Sequence, residues 1–320
     1  MKEFILPFSK ISKKDVKLAG GKGASLGEMT SAKINVPPGF VVTAESFERF
    51  LEETDLGVEI EAALDKINYK DVNSVNQASL KVRDLIHDAR MPIDLQKEIL
   101  SAYDSLAKTA ASKYLLVAVR SSATAEDSSQ ASWAGELESY LNVTRQNLLG
   151  MVKKCWSSLF TERAIFYRNE KGLRRSHVSV AVVVQKMVQS EIAGVCFTVH
   201  PVTRDKNQMI IEACFGLGES LVGGEVTPDA YVLDKRHWEI LDINVSEQEM
   251  MRTRKGPAGV FRKPVPGKLR HRQKLDGRQI VALAKICAAI EKHYKFPCDI
   301  EWALEKGKFY IVQSRPITTL

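Results

Sequence analysis

The sequence predicts an α+β fold, and two observations predict it. Residues 44–114 are dominated by helical periodicity, whereas β-branched runs set the pattern from residue 178 onward. Helices and strands segregated in this way favour α+β over a regularly alternating α/β order. The chain has 320 residues, 44% of them hydrophobic, which suffices for one large or two medium domains. We expect a boundary near residues 190–200, giving domains of 1–195, with a helical insert at about 44–114, and 196–320.

The elements follow from local patterns along the chain. Phe47 and Phe50 recur at helical spacing, and Pro92 followed by Asp94 is typical of a helix start. A β-hairpin is expected around the turn that begins at Asp234. The predicted elements after the insert are a strand at 114–119, a helix at 147–171, strands at 178–188, 192–199 and 208–214, hairpin strands at 230–233 and 239–245, a helix at 279–294, and a terminal hairpin.

Composition excludes several classes of protein. No apolar run reaches the length of a membrane span, and the N-terminal residues do not resemble a signal peptide, so a cytoplasmic protein without membrane contact is expected. The five cysteines form no Cys-x-x-Cys pair, which indicates neither a zinc site nor a disulfide framework. None of the six histidines lies in a metal-ligand pair.

The positive charge is concentrated in one segment. The net charge is +7, yet residues 252–274 hold nine Lys and Arg and no acid, which leaves about −2 for the rest of the chain. This segment contains a single aromatic residue, Phe261, so stacking on nucleic-acid bases is not indicated. We expect a solvated mobile loop. A flap facing phosphate or a partner is the alternative.

The last residues of the chain place acids, an amide and a guanidinium at a spacing of two. With a three-residue loop at 306–308, Asp299 would lie opposite Arg315 and Glu301 opposite Gln313, all on one face of a hairpin. Carboxylate and amide oxygens suit Mg²⁺, and the guanidinium suits a phosphate. The alternative is an ordinary salt-bridged hairpin. A two-residue loop would turn the two pairs to opposite faces.

Two further segments have the composition of phosphate-binding loops. Residues 20–29 are glycine-rich, contain Lys22 and lead into a helix, although they match neither the Walker A pattern nor G-x-G-x-x-G. In residues 119–129, Arg120 follows an apolar strand and precedes a hydroxyl-rich loop. A capped helix and a flexible serine loop are the respective alternatives.

Other candidate contacts are less specific when taken alone. Gly135 could permit close approach to a ligand. Gln185 ends an apolar strand, and the backbone after it, with Met187, could face an adenine, although a core strand is the simpler reading. Glu212 precedes a glycine turn and suits either a ribose contact or capping of the loop.

Seven motifs in this order resemble the nucleotide-binding domain of the phosphoenolpyruvate synthases, which pyruvate phosphate dikinase and the rifampicin phosphotransferases share. The resemblance runs from about residue 8 to residue 317 and implies the ATP-grasp fold, with ATP bound between two lobes. The motifs are Gly20-Gly-Lys-Gly-Ala-Ser-Leu-Gly-Glu-Met29, Val36-Pro-Pro-Gly-Phe40, Val119-Arg-Ser-Ser-Ala-Thr-Ala-Glu-Asp127, Phe197-Thr-x-x-Pro201, Gly216-x-Gly-Glu219, Asp299-Ile-Glu-Trp302 and Gln313-Ser-Arg-Pro316.

The resemblance implies roles for individual residues. Lys22 and Arg120 would hold phosphates, with Gly135 and Ser139 in the phosphate loop, and Gln185 would face the adenine. In the terminal hairpin, Glu301 and Gln313 would bind Mg²⁺, while Asp299 and Arg315 would complete the site.

The resemblance also implies a missing partner. Family enzymes convert ATP to AMP and pass the phosphoryl group to a histidine on a swivelling domain, in a Thr-Ser-His motif that this sequence lacks. We therefore expect that domain and an acceptor-binding domain to lie elsewhere. An ATP-binding subunit of a phenylphosphate synthase-like or antibiotic-phosphorylating enzyme, and a non-catalytic nucleotide sensor, are the alternatives.

Overall fold

The computed structural model describes residues 3–112, 114–124, 137–173 and 178–318. They form a mixture of helices and antiparallel sheets, which confirms the predicted α+β class. The chain divides into two compact units, and these lie at Met1–Glu28 with Pro38–Met187, and at Met29–Pro37 with Val188–Leu320. The predicted boundary at 195/196 instead falls inside a strand of the second unit. No helix in the described ranges is long and apolar enough to cross a membrane.

The first unit combines helices with a five-stranded sheet. The sheet order is β1-β2-β5-β3-β4, and each neighbouring pair is antiparallel. The strands are β1 (Ile5–Pro7), β2 (Gly39–Val42), β3 (Val117–Ala123), β4 (Ser139–Val143) and β5 (Val180–Lys186), and the helices are α1 (Val16–Ser31), α2 (Ala44–Glu53), α3 (Leu56–Asp65), α4 (Val72–Asp88), α5 (Ile93–Thr109), α6 (Leu148–Ser157) and α7 (Glu162–Glu170).

One face of this sheet builds the main core of the unit. Val117 and Val119 of β3 and Val182 and Val184 of β5 pack with the insert helices around the buried Trp156. The residues that alternate with these valines point to the other face, because successive strand residues do so. The second face is therefore available for polar side chains.

The second unit is built on a six-stranded antiparallel sheet. Its order is β13-β12-β6-β7-β8-β9, and helix α9 packs against it with Ile280, Leu283 and Cys287 buried. Its elements are β6 (Ile192–Phe197), β7 (Gln208–Phe215), α8 (Glu219–Val222), β8 (Asp229–Asp234), β9 (Glu239–Asn244), β10 (Met250–Arg254), β11 (Val260–Pro264), α9 (Gly277–Tyr294), β12 (Cys298–Glu305) and β13 (Lys308–Pro316).

Two sequence-based predictions about elements are wrong. The helix expected at 147–171 is interrupted by a 3-10 turn at Ser158–Phe160, because Thr161 leaves the helical conformation and its side chain caps α7 by accepting from the Ala164 N–H. The basic segment is not a loop. It contains the two-stranded β10–β11 sheet and a short 3-10 turn at Gly267–Leu269, and it ends in the buried Lys274.

Candidate functional site

In the first unit, the predicted site residues share the second face of the sheet. Arg120 of β3 lies directly opposite Ser139 of β4 and Val183 of β5, and Ala118, two residues earlier, lies opposite Gln185. Residues paired in register point to the same face. Arg120 and Gln185 are only 9% and 2% exposed. The register thus brings together residues that are far apart in the sequence.

Helix α1 approaches this same face through Ser122, which lies two residues after Arg120. The Ser122 hydroxyl donates to the Ala19 carbonyl at 2.9 Å and accepts from the Gly23 N–H at 3.3 Å. Between them, Gly20 has φ 67° and interrupts the helical backbone of α1, and a β-carbon there would overlap the Ser122 backbone. The two predicted phosphate loops therefore contact each other, and the half-buried Lys22 lies in the first turn after Gly20.

The start of β4 is fixed by ion pairing to the helical insert. Arg83 donates to both Glu138 oxygens, at 2.9 and 3.1 Å, and the Glu138 carbonyl accepts from the Ser121 N–H at 3.1 Å. This holds the exposed Ser139 beside Arg120. Gly135, which was predicted to lie in the same phosphate loop, is outside the described residues.

The backbone directly after Gln185, which is the predicted adenine contact, makes hydrogen bonds within the first unit. The Lys186 N–H donates to the Pro38 carbonyl at 2.8 Å, and the Met187 N–H donates to the Leu116 carbonyl at 2.9 Å. Both amides after Gln185 are thus engaged within the first unit. A contact made by Lys186 or Met187 would therefore use its carbonyl group or its side chain.

In the second unit, the terminal hairpin has the predicted pairs but a different turn. Asp299 lies opposite Arg315 and Glu301 opposite Gln313. The loop, however, contains two residues, Lys306 and Gly307, both with positive φ as in a type I′ turn. A β-bulge at Val312 restores the predicted pairing. Trp302 lies opposite Ile311, but the preceding residue of β12, Glu301, lies opposite Gln313, so Val312 is the extra residue on β13. The predicted three-residue loop is wrong, and the predicted face is correct.

The neighbouring strands extend this face. Glu301 lies opposite Val195 of β6, which lies opposite Glu212 of β7, so Glu212, Val195, Glu301 and Gln313 form one row across four strands. Asp299 and Arg315 are two positions further along their strands and share the same face. We call these five polar residues (Glu212, Asp299, Glu301, Gln313 and Arg315) the acid face.

Burial sets the electrostatics of the acid face. The Arg315 guanidinium donates to Asp299 Oδ2 from Nε at 2.9 Å and from a terminal nitrogen at 2.7 Å. Burial raises the pKa of Asp299, the arginine opposes this shift, and the Glu301 carboxylate adds to it. Burial also raises the pKa of Glu212, with Asp299 as a second cause. The face thus places three carboxyl groups, those of Glu212, Asp299 and Glu301, close to one guanidinium.

A hard cation fits this set of donors. Glu301 supplies a carboxylate and Gln313 an amide oxygen at directly opposite positions, and Mg²⁺ commonly takes one or two protein oxygens together with substrate phosphates. Within the described ranges, no group of three His, Cys, Asp or Glu side chains is arranged to hold a metal without further ligands. The donors present suit a metal that arrives with its ligand.

Sequence reasoning missed two polar clusters of the second unit. Arg252 pairs with Glu219 at 3.0 Å and with Glu225, and the buried Lys274 pairs with Asp229 at 2.7 Å. Each pair joins segments more than 25 residues apart in the sequence, so local spacing carries no signal for either. Glu219 therefore belongs to an ion pair at the glycine turn.

Comparison with known proteins gives a consistent result. Residues 16–320 match the family described as pyruvate phosphate dikinase, AMP/ATP-binding domain. A probable phosphoenolpyruvate synthase of Methanocaldococcus jannaschii is 47% identical over 99% of this chain and 27% of its own length. The phosphoenolpyruvate synthase of Pyrococcus furiosus is 41% identical over 99% and 44%. A rifampicin phosphotransferase of Bacillus cereus is 37% identical over 100% and 36%.

The match to the family covers nearly the whole chain, while the chain spans less than half of each of these three relatives. The same region carries both polar faces described above. The chain belongs to the family of pyruvate phosphate dikinase AMP/ATP-binding domains.

Proposed function

We propose that the chain binds ATP with Mg²⁺ and acts as the phosphoryl-donating part of a dikinase-type phosphotransferase. The observation that carries this proposal is the row formed by Glu212, Glu301 and Gln313, with Asp299 and Arg315 beside it. Such a row combines oxygen donors for a hard cation with a guanidinium for phosphate. Membership of an AMP/ATP-binding family supports the choice of nucleotide.

On the acid face, we assign Glu301 and Gln313 to the metal and Arg315 to a phosphate oxygen. Asp299 holds the guanidinium in place through its two hydrogen bonds to Oδ2. The raised pKa of Asp299 and of Glu212 fits carboxyl groups whose charge is relieved when a cation binds. We assign Glu212 to the nucleotide, as a ribose contact.

In the first unit, we assign Lys22 and Arg120 to the phosphates. The bonds from Ser122 to Ala19 and Gly23 tie the two segments together, so that both cations are presented from one supported surface. Ser139 lies opposite Arg120 and would add a hydroxyl donor, with Gly135 in the preceding loop. Gln185 would contact the adenine through its side-chain amide.

These groups position ATP and neutralise its charge without forming a covalent bond themselves. Phosphoryl transfer depends mainly on alignment and on electrostatic stabilisation, to which a bound Mg²⁺ adds a positive charge on the phosphate oxygens. We propose that a histidine nitrogen of another domain takes the β- and γ-phosphoryl groups together from ATP, with AMP as the leaving group. Water then removes the terminal phosphoryl group as orthophosphate, which leaves a single phosphoryl group on the histidine. We propose that the final phosphoryl acceptor is the one that phosphoenolpyruvate synthases use. Because a rifampicin phosphotransferase is among the relatives, an antibiotic is the second candidate acceptor.

The proposed transfer can be tested by isotope exchange. The chain is mixed with a separately produced histidine-bearing domain, Mg²⁺, ATP, orthophosphate and labelled AMP, and label entering ATP is measured. Exchange that requires both proteins and is lost in Arg315→Ala supports the proposal. Tight ATP binding without any exchange would contradict it, and would leave a nucleotide sensor as the function.

A further inference from the structure

The β10–β11 hairpin carries its positive charges in an arrangement that is unfavourable without carboxylates. Arg252 lies directly opposite Arg262 across the two strands, and like charges in opposite positions destabilise a sheet. Glu225 lies between them, since it accepts from Arg252 Nε at 2.9 Å and lies 3.9 Å from Arg262 Nε. Glu219 adds a second carboxylate at 3.0 Å from Arg252. The hairpin is thus already a carboxylate-binding element within this chain.

The same contacts fix the hairpin to the glycine turn after β7. The Leu217 N–H donates to the Arg252 carbonyl at 2.9 Å. Gly216, with φ 87°, lies so close to Arg252 that a β-carbon would overlap its carbonyl oxygen. Arg252 is therefore an anchor, with both its backbone and its side chain engaged. These contacts of Arg252 hold the hairpin in position, and they do not involve the basic residues nearer the tip of the hairpin.

Three of the other four basic residues of the hairpin are exposed. Arg254 and Lys255 are exposed at the tip, Arg262 is exposed beside them, and Lys263 is half-buried. Arg254 donates to the Gly256 carbonyl at 2.7 Å, which holds its guanidinium over the turn. Phe261 on β11 is 41% exposed. Arginine and aromatic side chains together are the composition enriched at protein interfaces.

We propose that the β10–β11 hairpin is a docking surface for a protein partner whose contacting surface is rich in Asp and Glu. Glu219 and Glu225 show that the arginines of this hairpin bind carboxylates, and residues 252–274 contain no acid of their own. A single-stranded nucleic acid is disfavoured because its binding relies on several stacking aromatics, and the segment has one. This surface goes beyond nucleotide binding and does not depend on it.

A charge-matched pair of variants tests this proposal. The hairpin variant combines Arg254→Ser, Lys255→Ser and Lys263→Ser, and keeps the anchoring Arg252 and Arg262. The control variant combines Lys206→Ser, Arg278→Ser and Lys292→Ser, three exposed residues elsewhere in the second unit. Both lose three charges. Binding of fluorescein-labelled poly-L-glutamate is followed by anisotropy, with poly-uridine RNA as the second probe.

The expected result is a loss of poly-L-glutamate affinity of about tenfold or more in the hairpin variant and of less than about twofold in the control. Melting temperatures of both variants should match that of the unmodified chain, since the replaced side chains lie at or near the surface. Equal losses in the two variants would overturn the proposal, because net charge alone would then explain binding. Tighter binding of poly-uridine, lost in the hairpin variant, would overturn it in favour of nucleic acid.

Discussion

At the scale of single residues, Glu212 and Asp299 show how burial and neighbouring acids set the electrostatics of the acid face. Both carboxyl groups are partly withdrawn from water, and each lies near another acid, so their pKa values are raised. A carboxyl whose pKa is higher in the folded than in the unfolded state holds its proton to higher pH when folded. Its contribution to stability is therefore present below the unfolded pKa and is lost as the pH rises through the folded pKa.

The raised pKa of Glu212 predicts how stability changes when its charge is removed. Replacing Glu212 by Gln should raise the free energy of unfolding of the ligand-free chain at neutral pH, by at most ~1 kcal/mol because solvent screens a half-buried carboxylate. The gain should vanish at about pH 4, where the native carboxyl is protonated. Urea denaturation at both pH values measures it, with Glu239→Gln on the exposed edge strand as the control. A loss of stability at neutral pH would contradict this view of Glu212.

At the scale of elements, Gly20 joins helix α1 to strand β3. Its positive φ breaks the helix, and its lack of a β-carbon allows the chain to lie against Ser122, whose hydroxyl bonds both Ala19 and Gly23. The glycine is thus required by a close approach of two backbones. Lys22 lies two residues after Gly20 and directly before Gly23, so the placement of that proposed phosphate ligand depends on this contact.

We predict that Gly20→Ala destabilises the chain by about 2–4 kcal/mol, because the new methyl group overlaps backbone that cannot yield without moving β3. The matched control is Gly150→Ala in helix α6, where nothing lies within 4 Å of the added methyl group. That change should stabilise the chain by roughly 0.5–1 kcal/mol, as alanine does in helices. Thermal unfolding of both variants checks the pair. Equal small effects would mean that the close approach to Ser122 is not required.

Sequence patterns predicted the elements better than they predicted interruptions within them. The facing pairs of the terminal hairpin were predicted correctly from a spacing of two, but the turn length was wrong, because the Val312 bulge breaks the alternation on which the prediction depended. The basic hairpin was missed for a different reason. Arg252 is paired with Glu219 and Glu225, which lie outside the basic run, so composition alone suggested a solvated loop.

At the scale of the whole molecule, each unit brings its own predicted site residues to one face of a sheet. Arg120, Ser139 and Gln185 are joined by the register of β4, β3 and β5, and the acid face by the register of four other strands. The residue types were visible in the sequence. The facing pairs of the terminal hairpin could be predicted from local spacing, but the convergence of residues from distant strands could not, because antiparallel pairing of distant strands carries no local signal. The ATP-grasp fold, the metal and the phosphoryl relay remain predictions.

The most direct test of the account is calorimetric titration of the isolated chain with a non-hydrolysable ATP analogue, with and without Mg²⁺. We expect binding that is strengthened by Mg²⁺. In Glu301→Gln, affinity should fall about tenfold or more with Mg²⁺, which is ~1.4 kcal/mol, and by less than about twofold without it. Glu239→Gln should change neither value. No binding, or equal losses with and without Mg²⁺, would contradict a metal-assisted nucleotide site on the acid face.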